Sequence, residues 1–164
     1  MEAEHTTPTR DLAIRHALAT LTYRAAKVLR GAPPDFSSFR PGNESRSAGE
    51  ILAHVCDLLD WALSQAKGKE QWHNSKSRTW SEDTERFFAG VAAFDAYLAS
   101  EAELHAPAEK LFQGAVADAL THIGQIAMLR RLAGAPVRGE NYAVAMIAAG
   151  QTGPDQPPAV YEFG

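Results

Sequence analysis

The sequence predicts an all-α fold, a four-helix bundle in one domain spanning residues 1–164. Three observations predict it. Apolar residues recur at i, i+3 and i+4 in four long segments, strand-like alternation is absent, and the stretches between are rich in Pro, Gly, Ser and Asn. A chain of 164 residues, 45% hydrophobic and 22% charged, is long enough to close a single core.

The first helix is expected from about Thr9 to Arg30, with Ile14, Leu18, Leu21, Ala25 and Val28 on one face. Residues 1–8 before it, and 151–164 at the other end, read as extended or flexible. Gly31 and Pro33-Pro34 stop the helix, and a loop follows to Arg46. The second helix opens with a capping box, Ser47-Ala-Gly-Glu50, in which hydroxyl and carboxylate satisfy each other's backbone N–H groups. It runs to about Lys67, with Ile51, Val55, Leu58 and Trp61 facing inward.

The polar stretch from Gly68 to Trp80 is long for a hairpin and reads as a crossover. The third helix is expected to start at a Ser81 cap, with Glu82, Asp83 and Glu85 complementing its positive end. Phe87, Val91, Phe94 and Leu98 are its apolar side. Pro107 opens the fourth helix, which carries Leu111, Ala115, Ile126 and Leu129 to Gly134. A short extra helix is expected from Tyr142 to Ala149, then a Pro-rich tail.

Composition excludes several classes of function. A net charge of −4 and a pI near 5.8 argue against a nucleic-acid partner. Arg130-Arg131, the one basic cluster of note, suits the negative end of a helix. No apolar run reaches the roughly 20 residues of a membrane span, and the polar start lacks the pattern of a signal peptide. The single cysteine, Cys56, reads as a small buried hydrophobe, and a reducing cytoplasm is the expected compartment.

The chemistry lies in three polar residues on apolar stripes. At about 100° per residue, Leu111, Asp118, His122 and Leu129 fall within roughly 20° of one direction, so Asp118 and His122 should point into the core. His54 falls within about 60° of Leu58 and Trp61 on the second helix, which brings all three together at mid-bundle. Two imidazoles and a carboxylate form a mixed nitrogen and oxygen donor set. It suits a divalent ion, zinc or nickel first, iron or manganese as alternatives, with positions left open for water or substrate. The same trio also fits a buried network in which Asp118 salt-bridges His122 or His54.

Other polar residues are weighed beside it. Asp57, one turn beyond His54, is a surface charge or an acceptor that holds a ligand histidine. Gln125 orients a ligand or packs between helices, and Tyr142 and Glu140 are candidates to border the pocket. His5 lies in the N-terminal stretch, His73 in the crossover, and His16 beside the first helix's apolar stripe. His105 suits a helix C-terminus. Trp72 and Trp80 either line a pocket mouth or clamp the crossover to the bundle.

Two segments resemble the DinB/YfiT-like metalloenzyme superfamily. Ser47-Ala-Gly-Glu-Ile-Leu-Ala-His54 resembles its first ligand segment, and Asp118-Ala-Leu-Thr-His122-Ile-Gly-Gln125 resembles its His-x-Gly-Gln element with a ligand one turn earlier. The resemblance implies an up-down-down-up bundle whose long connection joins helices two and three. It also implies a bound divalent metal, often nickel or zinc, and frequently a homodimer. Thiol-dependent transferases and isomerases are among its characterised members. One residue departs from the pattern: Asp118 stands where most members have histidine. An aspartate makes the site one charge more negative and shifts its preference toward harder ions.

The function these readings lead to is a metal-dependent enzyme. His54, Asp118 and His122 would hold the ion, which would activate a low-molecular-weight thiol or a water for attack on a small-molecule substrate. The alternatives are a stress protein that binds metal or a small ligand without turnover, and a structural bundle in which the trio is a hydrogen-bond network.

Overall fold

Four long helices form among the described residues where the apolar periodicity places them. They are α1 (Thr9–Leu29), α2 (Ala48–Ala66), α3 (Trp80–Ala99) and α4, which covers 108–132. The structure is a computed structural model and describes residues 9–164. The expected N-terminal arm, 1–8 with His5, lies outside the described residues. Helices α1 and α2 each pack on both α3 and α4. Leu18 and Leu21, Leu52 and Leu59, Phe87 and Phe94, and Leu111 and Ile126 fill the core between them, all fully buried. None of these helices is long and apolar enough to cross a membrane.

The α2 cap forms as its sequence dictates. Glu50 donates its N–H to Ser47 Oγ at 3.2 Å, and Ser47 donates its own to Glu50 Oε2 at 2.7 Å. The α3 cap is not Ser81 but Thr79. The sequence Thr79-Trp-Ser-Glu82 is itself a capping box, and both of its reciprocal bonds are made. Ser81 has no Glu or Gln three residues on, so it has no such partner to offer.

The fourth helix is not uniform. Ala108–Leu111 and Ala117–Leu132 are α-helical, and Phe112–Val116 between them is a π turn. One extra residue in that turn shifts the phase of everything after it by about 100°. Leu111 therefore shares a row with Ala119, Ile123, Ile126 and Arg130, all buried, rather than with Asp118 and His122. The core stripe of α4 lies one row away from the one that uniform helical spacing predicts.

The C-terminal region differs from expectation as well. Only Tyr142–Val144 is helical, as a 3-10 segment, and the predicted helix to Ala149 does not form. From Ala145 to Ala149 residues alternate between half-buried and exposed, the period of an extended strip laid over a surface. A two-residue antiparallel ladder, β1 (Gly139–Glu140) with β2 (Glu162–Phe163), joins the tail to the segment after α4. Pairing that short leaves no alternation to read in a sequence. Lys27 of α1 pins it, with Nζ 2.9 Å from buried Glu140 and 2.7 Å from Glu162. Tyr23 donates its hydroxyl to the other Glu140 oxygen, and burial together with that carboxylate raises its pKa.

Arg130 closes the far end of α1. Its buried guanidinium donates to the carbonyls of Val28 and Arg30 at 2.8 Å and of Gly31 at 3.2 Å, while Nε reaches Ala135. The expectation of a basic residue at a helix C-terminus holds, but the helix capped is α1, not its own. Arg130→Met strands several carbonyls at once. It should cost about 2–4 kcal/mol of stability, read as a fall in the urea midpoint with unchanged m-value.

Candidate metal centre

His54 comes from the second turn of α2, and Asp118 and His122 from one face of α4 just after the π turn. The structure brings the three together: one ligand atom from each lies within 4.8 Å of the others, a group that could hold a metal ion. Asp118 Oδ2 stands 3.6 Å from His54 Nε2, and Oδ1 stands 3.5 Å from His122 Nε2. The two rings meet edge to face with centroids 4.8 Å apart.

The site is shallower than predicted. Asp118 is 47% exposed, while His54 and His122 retain 20% and 14% of their side-chain surface. The π turn is the reason, because it rotates the Asp118–His122 row from the core to its edge, beside α2. The trio therefore faces solvent across a groove instead of lying at mid-bundle.

The electrostatics suit ligation. Burial, then the neighbouring His122 and Arg46, hold the His54 pKa below its ordinary value against the opposing pull of Asp118. A neutral imidazole is the form that binds a metal. His122 Nδ1 lies 2.7 Å from Gln125 Oε1, which selects the tautomer with the proton on Nδ1 and leaves the Nε2 lone pair toward Asp118. Gln125 thus holds the ring of His122, a candidate ligand. The Asp118 separations exceed those of good hydrogen bonds. They are close to the roughly 3.3 Å that two ligands about 2.0–2.1 Å from one tetrahedral ion would show.

Asp57 is neither a surface charge nor a support for His54. It is buried, and its oxygens are taken by Ser75 N at 2.8 Å, Ser75 Oγ at 2.7 Å and Arg86 Nη2 at 2.7 Å. It does border a polar pocket beside His54, with Arg46, Glu50 and Asn74. Tyr142 is not brought to the site. It packs edge-on to Tyr23 and under Arg24, on the α1 side, and Glu140 is held there with it. Cys56 is buried, its thiol donating to the Asp83 carbonyl, and burial pushes its pKa up to about 12, which removes it as a nucleophile. His16, His73 and His105 are exposed.

Two residues that sequence reasoning underweighted frame the centre. Trp72, from the crossover, sets its ring edge to face with His54 at 5.7 Å and with Trp61 at 5.8 Å, so it both clamps the crossover and walls the site. Trp80 only clamps, donating Nε1–H to the Leu29 carbonyl. Arg46, immediately before the α2 cap, lines the polar pocket and also a larger groove of about 490 Å³ bordered by His122, Gln125, Ile51, Met128 and Leu132. Its only sequence signal is a lone arginine two turns ahead of a candidate ligand. No family model, curated protein or solved structure matches this chain.

Asp57 ties α2, the crossover and α3 together, so Asp57→Asn should cost about 2–3 kcal/mol, because Arg86 keeps Asp60 but loses its buried carboxylate and Ser75 loses a charged acceptor. Burial alone would raise the Asp57 pKa, but Arg86 and Ser75 hold it below the ordinary carboxylate value. The sign follows from that depression. Its contribution is complete above the unfolded-state pKa of about 3.9 and is lost as pH falls through the lower folded value. Urea titrations of wild type and variant should therefore differ by a constant amount from neutral pH down to about pH 5, and converge only below about pH 4.

Proposed function

We propose that this protein is a DinB-like metalloenzyme, an up-down-down-up bundle in which His54, Asp118 and His122 hold a divalent ion, zinc or nickel first and iron or manganese as alternatives. The observation that carries the reading is the Asp118 carboxylate, which spans both imidazoles at 3.5 and 3.6 Å without the closer approach a hydrogen-bond network would make. That spacing speaks against a purely structural trio. A divalent ion supplies Lewis acidity, lowering the pKa of a small thiol or a water that joins it.

The chain's own residues do the rest. Gln125 fixes the ring of His122, Trp72 shields one side of His54, and the groove along α4 offers an apolar wall to a small-molecule substrate. A low-molecular-weight thiol as co-substrate and a homodimeric assembly belong to the same proposal. One observation favours a binder without turnover. Glu50 and Asp57, the carboxylates beside His54, are both committed to arginines, which leaves no free base next to the trio among the described residues.

Protein purified without chelators should take up about one equivalent of zinc or nickel in equilibrium dialysis. His54→Ala and His122→Ala should each weaken uptake by more than about a hundredfold, and failure of the wild type to bind either ion would sink the metal reading. Gln125→Ala, which frees the ring of His122 without removing a ligand, should weaken uptake by about 10–100-fold. Thiol consumption with an electrophilic aryl halide, present in loaded wild type and absent in His122→Ala, separates the enzyme from the binder.

A further inference from the structure

The charges around the trio do not balance in an ordinary way. Glu50 accepts from the Ser47 N–H and from Arg40, and Asp57 accepts from Ser75 and Arg86. Both acids that line the polar pocket are thus neutralised where they stand. Arg40 and Arg86 are likewise occupied, Arg40 also holding the Ser45 carbonyl and Arg86 also holding Asp60. Arg46 stands apart. It is exposed, and it has no hydrogen-bond or ion-pair partner among the described residues.

Its position gives that free charge a direction. Arg46 lines the polar pocket with His54 and the apolar groove with His122, so it stands where the two cavities meet beside the trio. From there the groove runs past Ile51 to Met128, Leu129 and Leu132, and Met128 and Leu132 are exposed despite their apolar side chains. A volume of about 490 Å³ falls in the range of small-molecule sites. A planar guanidinium at one end of an apolar trough matches a ligand with an anionic head and a hydrocarbon or aryl body.

We infer that Arg46 is the specificity-determining residue of the site and selects an amphipathic carboxylic acid, its carboxylate on Arg46 and its apolar body along the α4 groove. The inference rests on the metal reading for what happens to that substrate, but not for its binding. In the metal-free protein a carboxylate is favoured over a phosphate monoester because Arg46 is the one cation among the described residues that line either cavity, which balances a monoanion and leaves the second charge of a dianion uncompensated.

The test uses metal-free protein, so no ion can hold the head group. Octanoate, 1-octanol, octylammonium and octyl phosphate are titrated against wild type, Arg46→Gln and Arg46→Lys, with backbone amide NMR shifts as readout. In wild type, octanoate should bind most tightly and shift residues along Ile51, Met128 and Leu132. Arg46→Gln should weaken octanoate by about tenfold or more and leave 1-octanol within about twofold. Arg46→Lys should retain part of the octanoate affinity, as a charge without the planar fork. Equal octanoate binding to wild type and Arg46→Gln, octanol or octylammonium matching octanoate, or no octanoate binding at all would each overturn the inference. Tighter octyl phosphate overturns the carboxylate. Zinc uptake measured on the same variants keeps the two readings apart, since Arg46→Gln should still bind zinc.

Discussion

The candidate centre depends on the buried carboxylate of Asp57. It lies one turn past His54 on α2, and its partners come from two other elements, Ser75 of the crossover and Arg86 of α3. A charge at that depth persists only when its oxygens are filled, and here they are filled from the crossover and from α3, whose Arg86 also reaches Asp60 on α2. The consequence reaches the site through the backbone. Anchoring Ser75 on one side, with Gln71 held by Ser64 and Glu70 by the Trp61 Nε1–H on the other, fixes the crossover across α2 and places Trp72 against His54 and Trp61. Without the anchor, the polar stretch after Gly68 has no apolar residue besides Trp72 to hold it down.

The sequence made the elements legible because they rest on local rules. Periodicity located all four long helices, Ser47 and Glu50 announced the start of α2, and the i, i+4 pair on α4 located two of the three candidate ligands. The α3 cap was equally local, and Thr79-Trp-Ser-Glu82 obeys the rule that Ser47 obeys. What helical spacing misjudged was depth. It assumes a uniform rise between Leu111 and His122, and the π turn at Phe112–Val116 breaks that assumption. Gly114 lies inside that turn, facing the Trp61 ring at 3.5 Å from where a Cβ would stand, so the backbone there meets an aromatic from α2. Nothing in the local sequence announces such a turn, because tertiary packing decides it.

The segment after α4 was the least legible part, and the reason is again non-local. Tyr142 to Ala149 is rich in alanine and has good helical propensity, yet a lone short helix is marginal without a face to bury. Here the chain does better by lying extended on the bundle, since Lys27 and Tyr23 of α1 already hold Glu140, and Lys27 also holds Glu162. Those partners are more than a hundred residues apart in sequence. The same holds for Arg130, whose role as a cap for α1 requires knowing that the two helix ends meet.

Shallowness and charge at the trio are linked through Asp118. A carboxylate half in water carries far less of the desolvation penalty of a buried one, so an aspartate is tolerable on this row of α4 where a buried one would need a partner. The same exposure leaves a divalent ion at this site, as proposed, open to the groove rather than enclosed by the core. With one negative ligand, the ion and its three side chains would carry a single positive charge, and Arg46 would add a second at the mouth. With an ion bound, two positive charges above an apolar trough would set a preference among ligands before any chemistry begins. They would draw in an anion, repel a cation, and leave the hydrocarbon part of the ligand to the α4 wall. A three-histidine site would be more positive by itself and would depend less on a neighbouring cation. On this argument Asp118 and Arg46 act together, the first lowering the charge at the centre and the second restoring it where a substrate would first meet the protein.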